Sequence, residues 1–292
     1  MDHHPIIDVT DLTDARGRSG ATPAFEERSA LAVKHFAFRE NPFLDSVNPQ
    51  YFFRTEAHED AYIKMKKCID EHVAVGLTTA LSGTGKTLLT QILLTELDPR
   101  RHEPVLVLAY PGMTKTGLLR ELAAELELGP LPPRAPIHML MGPIQERIAD
   151  LYQAGRKLIV IIDECHFLGV DALQMVRTLS NVELPERKLV TILLFGEDSF
   201  LDKMHRPQYA SIFNRMFVRA RLRPLDAAET EQYIKFRCLV SGGNPGIFRP
   251  DFHPRCHALS GGVPREVNRL CHGALFEAAR AGARHIGPEF LR

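Results

Sequence analysis

The sequence is short of several things, and each shortage narrows the field. None of its 292 residues falls in a run approaching the roughly 18 apolar residues that a membrane span needs. The opening Met-Asp-His-His-Pro lacks the basic-then-apolar layout of a signal peptide. Cysteine is scarce: Cys68, Cys165, Cys238, Cys256 and Cys271 are widely spaced, with no C-x-x-C pair among them. An odd count in that arrangement argues against a disulfide framework and reads as reduced thiols in a cytoplasmic setting.

Net charge is missing too, since 36 Lys and Arg balance 36 Asp and Glu. The balance hides segregation. Residues 201–292 hold 15 basic and 8 acidic side chains, against 21 and 28 in residues 1–200. Solvated arginine-rich helix faces account for this skew, and so does complementary packing between subunits or an acidic or nucleic-acid partner. Basic and aromatic residues are not interleaved as single-stranded nucleic acids favour. With 45% apolar and 25% charged residues, the rest is a globular chain able to fill one large domain, or a large and a small one.

What is present starts with residues 80–87, Ala-Leu-Ser-Gly-Thr-Gly-Lys-Thr. They follow a mostly apolar run, His72–Thr79, that reads as a buried strand, and they precede the helical stripe Leu88, Leu89, Ile92, Leu93, Leu94 and Leu97. Strand, glycine loop and helix in that order aim the backbone N–H groups of Ser82, Gly83, Thr84, Gly85, Lys86, Thr87 and Leu88 at one point, which makes a phosphate cradle. Lys86 reaches the outer phosphates, and the Thr87 hydroxyl is placed to ligate Mg2+. Ala80 stands where the G-x-x-x-x-G-K-[ST] pattern begins with glycine, so a slightly altered loop entry is expected.

Four further strands are expected: Val105–Ala109, Lys157–Asp163, Leu189–Phe195 and Phe217–Leu222. The last alternates Val218, Ala220 and Leu222 with Arg219, Arg221 and Arg223, which suits a sheet edge with one wet face. Helices are expected over Ala57–Asp70, Thr116–Leu128, Ile144–Ala154 and Ala172–Asn181, with a long proline-rich loop at Gly129–Pro143. Alternating strands and helices predict a parallel sheet covered on both sides. After Pro224 the sequence predicts helices over Ala227–Val240, Pro250–Leu259 and Pro264–Ala281. The expected organisation is a tail over residues 1–35, with a short helix near Glu26–Lys34, a base domain over 36–225 and a small helical domain over 226–292. His3 and His4 read as solvated tail residues rather than a metal site.

The strand Leu158–Ile162 ends in Asp163-Glu164. Nucleotide hydrolysis needs a carboxylate near Mg2+ and a group that orients or deprotonates the attacking water. Asp163 fits the first role and Glu164 the second, because neighbours at a strand end leave in different directions. Cys165 reads as a packing residue. His166 reads as a turn histidine, with a polarising role as the alternative.

Together these residues resemble the AAA+ ATPases of the ExeA/GspA type, linked to general secretion, and more loosely the TniB/MuB-type transposition ATPases. The resemblance runs from Phe36 to Pro288. It is carried by Asn41-Pro42-Phe43, Ser82–Thr87, Ile161–Glu164, Leu179–Glu183, Leu222–Leu225 and Ser260-Gly-Gly-Val-Pro-Arg-Glu-Val-Asn268. It implies an α/β P-loop fold with a five-stranded parallel sheet and a helical lid, and hydrolysis of ATP with Mg2+. It further implies a homo-oligomer acting on a protein partner, with a DNA-associated regulator as the alternative. It matches Arg265 to the lid's sensor arginine on the γ-phosphate, and Arg215 to the arginine finger that serves a neighbouring subunit. Gly196-Glu197-Asp198 departs from the family's small polar pair, which leaves Glu197 as the candidate first sensor.

Overall fold

Short apolar runs alternating with amphipathic helices favour a parallel sheet covered on both faces, because only that arrangement buries strands of this kind on both sides. The computed structural model describes residues 23–291 except Leu131, Pro133 and Glu186, with the backbone alone for residues 23–28. His3, His4 and the tail through residue 22 lie outside the described residues.

The expected short helix near Glu26–Lys34 is present as α1 (Pro23–His35). There follow α2 (Glu56–Asp70), β1 (Val75–Ala80), α3 (Lys86–Glu96), β2 (His102–Leu108), α4 (Lys115–Glu125), α5 (Ile137–Gln153) and β3 (Lys157–Asp163). Next come α6 (Val170–Leu179), a hairpin of β4 (Glu183–Leu184) and β5 (Arg187–Lys188), β6 (Val190–Glu197), α7 (Ser199–Met204), α8 (Ala210–Phe213) and β7 (Val218–Leu222). The helices α9 (Ala227–Val240), α10 (Phe252–Ser260) and α11 (Pro264–Arg280) complete the order.

The five long strands form one all-parallel sheet in the order β2–β3–β6–β1–β7, as the alternation of elements predicts. Its strands sort their side chains by parity. Leu158, Val160 and Ile162 join a core with α4, α5 and α6, while Ile159 and Ile161 join another with α2 and α3. β7 lies at the edge, where Ala220 and Leu222 are buried and Arg219 and Arg221 exposed.

Two expectations need correction. The proline-rich stretch before Ile144 is not loop throughout, since α5 already begins at Ile137 and carries Pro143 inside it. The proline forfeits only the bond to the Met139 carbonyl, and the apolar stripe Leu140, Ile144, Ile148 and Leu151 outweighs that loss. The hairpin β4–β5 was not expected, because arms of two residues carry no periodic signal.

By contact clustering the chain divides into a sheet unit, residues 46–229 with Gly261–Arg265, and a helical unit. The helical unit combines the segment ending at Asp45 with Thr230–Ser260 and the residues from Glu266 onward. Residues 36–45, which chain order places with the sheet, thus cluster with the helices, and Gly261–Arg265 cluster with the sheet. Within the helical unit Arg237, only 4% exposed, donates to the carbonyls of Pro42 (2.5 Å) and Leu44 (2.9 Å). A buried guanidinium thereby satisfies the Asn41-Pro42-Phe43 turn.

At the start of β3, Lys157 is 7% exposed and its ammonium donates to the Ile69 carbonyl at the end of α2, 3.0 Å away. Burial, with repulsion from Arg187, pushes its pKa down from 10.5 to about 8. Below that value folded and unfolded chains both hold the proton, and the charge is penalised inside. Between about 8 and 10.5 only the unfolded chain holds it, so stability rises with pH. Urea titrations across that window should show wild type gaining on Lys157→Met by on the order of 2–3 kcal/mol. A gap that does not change with pH contradicts the assignment.

Candidate active site

β1 delivers the chain to the C-terminal edge of the sheet, and the turn into α3 is made by two glycines in the left-handed region, Gly83 at φ 80° and Gly85 at φ 103°. A side chain at Gly83 would also meet Arg265, whose Cβ lies 2.8 Å from the position a Cβ would take. Ala80 is the last residue of β1, buried and paired on both sides, with Glu197 and with Leu222, and it has no positive φ. The alanine is therefore accommodated as ordinary strand.

Lys86 is 5% exposed, and its ammonium donates to the carbonyls of Ala80 (3.4 Å) and Leu81 (3.3 Å). The loop is braced from α2 by a residue that sequence reasoning missed, His58. Burial lowers the His58 pKa, so the ring is neutral at pH 7. One tautomer then satisfies both its contacts: Nε2–H donates to the Thr84 carbonyl at 3.0 Å, and Nδ1 accepts from the Thr55 hydroxyl at 2.7 Å. A helix histidine on a half-apolar face gives no sign in sequence that it will meet a loop 26 residues onward.

The second half of the site comes from β3. Asp163 is buried, with Oδ1 accepting from the Glu164 N–H (2.8 Å) and Oδ2 from the Thr87 hydroxyl (3.0 Å). Loop and strand end thus meet directly, though β6 separates β1 from β3 in the sheet. Glu164 takes φ 53°, uncommon for a residue with a side chain. Its Oε2 lies 3.2 Å from His166 Nδ1, outside hydrogen-bonding geometry, and both atoms are buried without a hydrogen-bond partner among the described residues. Cys165 is fully buried, as a packing residue should be, and burial raises its pKa well above the usual thiol value.

Glu197 is in register with Ala80 at the end of β6, so it does reach the site. The next carboxylate, Asp198, is neutralised by Arg221, whose guanidinium bonds both its oxygens at 2.8–3.2 Å. Arg265 also reaches the site: its N–H donates to the Gly83 carbonyl (3.2 Å) and its Nη1 to the Ser82 hydroxyl (3.3 Å). Ser82 through Leu88, Asp163, Glu164 and Arg265 are therefore gathered at one edge of the sheet.

Arg215 is not among them. It lines a cleft of about 740 Å³ with Glu71, His72, Ala74, Arg177, Lys188 and Phe217. Those residues flank the N-terminal ends of β1, β6 and β7, opposite the edge that carries the loop. Phe217 in this cleft is 83% exposed.

Residues 69–204 match the AAA domain family. Over 256 residues, 88% of its length, the chain is 31% identical to General secretion pathway protein A of Aeromonas hydrophila. It spans about half of that relative, 46%. Among solved structures it is similar to Cdc6p from Pyrobaculum aerophilum, with a TM-score of 0.66 and 16% identity over 85% of this chain and 68% of that one. It is also similar to Aeropyrum pernix ORC1, solved in complex with DNA, with a TM-score of 0.62 and 21% identity over 85% and 66%. These likenesses are of fold. The chain carries an AAA domain on a P-loop fold, and over most of its length it is similar to General secretion pathway protein A.

Proposed function

We propose that the chain hydrolyses ATP at sites completed by neighbouring copies of itself, and uses the cycle as a switch or motor on a protein partner. The observation that supports this reading is that Arg215 lies at the edge of the sheet opposite its own phosphate loop, so that any part it takes in hydrolysis is at a second copy's site.

In this reading the amides of Ser82–Leu88 and the N-terminus of α3 hold the phosphates. Lys86 exchanges its carbonyl partners for the outer phosphate oxygens. The Thr87 hydroxyl and the Asp163 carboxylate are hard oxygen donors of the kind that suits Mg2+. Bound there, the ion would neutralise charge on the phosphate oxygens. Glu164 takes a proton from water as the water oxygen attacks the γ-phosphorus; the bond from that phosphorus to the bridging oxygen breaks, and ADP leaves with its electron pair. Arg265 in the same copy and Arg215 from the next offset the charge spread over the transferring oxygens.

Nucleotide binding measured with a fluorescent ATP analogue should be lost in Lys86→Ala; normal binding and hydrolysis would remove the loop from the mechanism. Glu164→Gln keeps the shape of the side chain and loses the base. It should keep binding ATP while turnover drops by about 10²–10⁴-fold. Loss of binding and turnover together would contradict that role.

Arg215→Ala should bind ATP as wild type does and lose turnover by about 10³-fold or more. Mixing it with Lys86→Ala should restore part of the activity, because an intact loop in one copy meets an intact arginine in the other. Hydrolysis per subunit that is independent of protein concentration, with no recovery on mixing, would leave Arg215 a surface residue.

A further inference from the structure

His166 occupies an unusual position between two acids. Its Nδ1 is 3.2 Å from Glu164 Oε2, and its Nε2 is 4.0 Å from Glu197 Oε2. The second distance is too long for a hydrogen bond. Glu164 Oε2 and His166 Nδ1 are both buried, and neither has a hydrogen-bond partner among the described residues. Buried polar atoms without partners are uncommon in folded proteins, and a catalytic role is one reason for them. Here the two orphans face each other, so a small rotation of the Glu164 side chain would satisfy both. Catalytic hydrogen bonds are commonly misaligned before substrate arrives and tighten afterwards.

The ring itself is held firmly. The Lys203 ammonium donates to the carbonyls of His166 (3.1 Å) and Leu168 (2.5 Å), which fixes the turn after β3. The His166 ring rests against Phe167, with centroids 4.1 Å apart. Gly196 lets this turn pack on β6, since a side chain there would come within 2.7 Å of Cys165 Sγ and 3.4 Å of the His166 nitrogen. The backbone that carries the imidazole is thus pinned on two sides. With Nδ1 as the donor, the contact can hold one Glu164 oxygen and leave the other for water.

We propose that His166 is a positioning residue for hydrolysis, aligning Glu164 for the attacking water. The proposal rests on Glu164 being the base.

The test is steady-state hydrolysis and ATP affinity for His166→Phe, which keeps a ring against Phe167 and loses both nitrogens, and for His166→Asn, which keeps a donor near the Nδ1 position. A role through Glu164 predicts that His166→Phe lowers kcat by about 10–100-fold, the range for residues that orient a functional side chain, with ATP affinity unchanged. His166→Asn should recover most of the loss. In a Glu164→Gln background His166→Phe should cost nothing further, because both changes remove the same step. Melting curves establish that each variant is folded, and His166→Leu takes the place of the phenylalanine variant if that one is not. Unchanged kcat, equal loss in the Phe and Asn variants, a loss confined to affinity, or the same loss with and without Glu164 would each overturn the proposal. Wild-type turnover in Glu164→Gln alone would instead overturn the assignment of the base, and an inactive wild type would overturn the hydrolysis reading; the proposal falls with either.

Discussion

One hydrogen bond joins the two halves of this site: the Thr87 hydroxyl donates to Asp163 at 3.0 Å. The first residue opens a helix that follows β1, and the second ends β3, two strands away. Only a parallel sheet whose strands all end at the same edge lets them meet. β6 must sit between them in register, pairing Val75 with Ile192 on one side and Leu158 with Val190 on the other. A slip of one residue in either pairing would send every side chain of that strand to the opposite face. The core therefore sets the chemistry through register. The alternation of Leu158, Val160 and Ile162 against Ile159 and Ile161 is the constraint from which Asp163 takes its place.

Around that bond the loop is held from several directions. His58 reaches from α2 to the Thr84 carbonyl, Arg265 closes on Gly83 and Ser82, and Lys86 folds back onto the end of β1. Each of these contacts is made to a main-chain carbonyl or a hydroxyl, and none of them uses a loop amide. The two glycines accept φ values that other residues would resist, and the backbone strain at Glu164 lies on the facing strand end. Preorganisation of this kind removes reorganisation from the reaction itself.

Much of this was legible in the sequence, and the reasons are physical. Continuous apolar runs announced the strands, because both faces of a central strand are buried. The glycine pattern announced the loop, because its backbone needs conformations that few residues adopt. Asp163 and Glu164 were legible from their place at the end of the most apolar run. The parts that were hidden depend on long-range meetings. His58 has no pattern that points to Thr84, and Arg237 none that points to Pro42 and Leu44, so residues 36–45 were placed with the sheet rather than with the helices. Pro143 concealed the first turns of α5, because a proline reads as a boundary until tertiary packing overrides it. His166 looked like one more turn residue. Its meaning came only with the fold of the turn after β3, which sets its Nδ1 3.2 Å from Glu164 Oε2.

The central claim is that Thr87 and Asp163 act as a single element in holding the nucleotide with its ion. Calorimetric titration of ATP with and without Mg2+ tests it most directly, on wild type, Thr87→Val, Asp163→Asn and the double variant. The account predicts that Mg2+ strengthens ATP binding to wild type, that each single variant loses most of that strengthening, and that the double variant loses no more than either alone. Mg2+ dependence that survives in the single variants, or losses that add in the double, would contradict it.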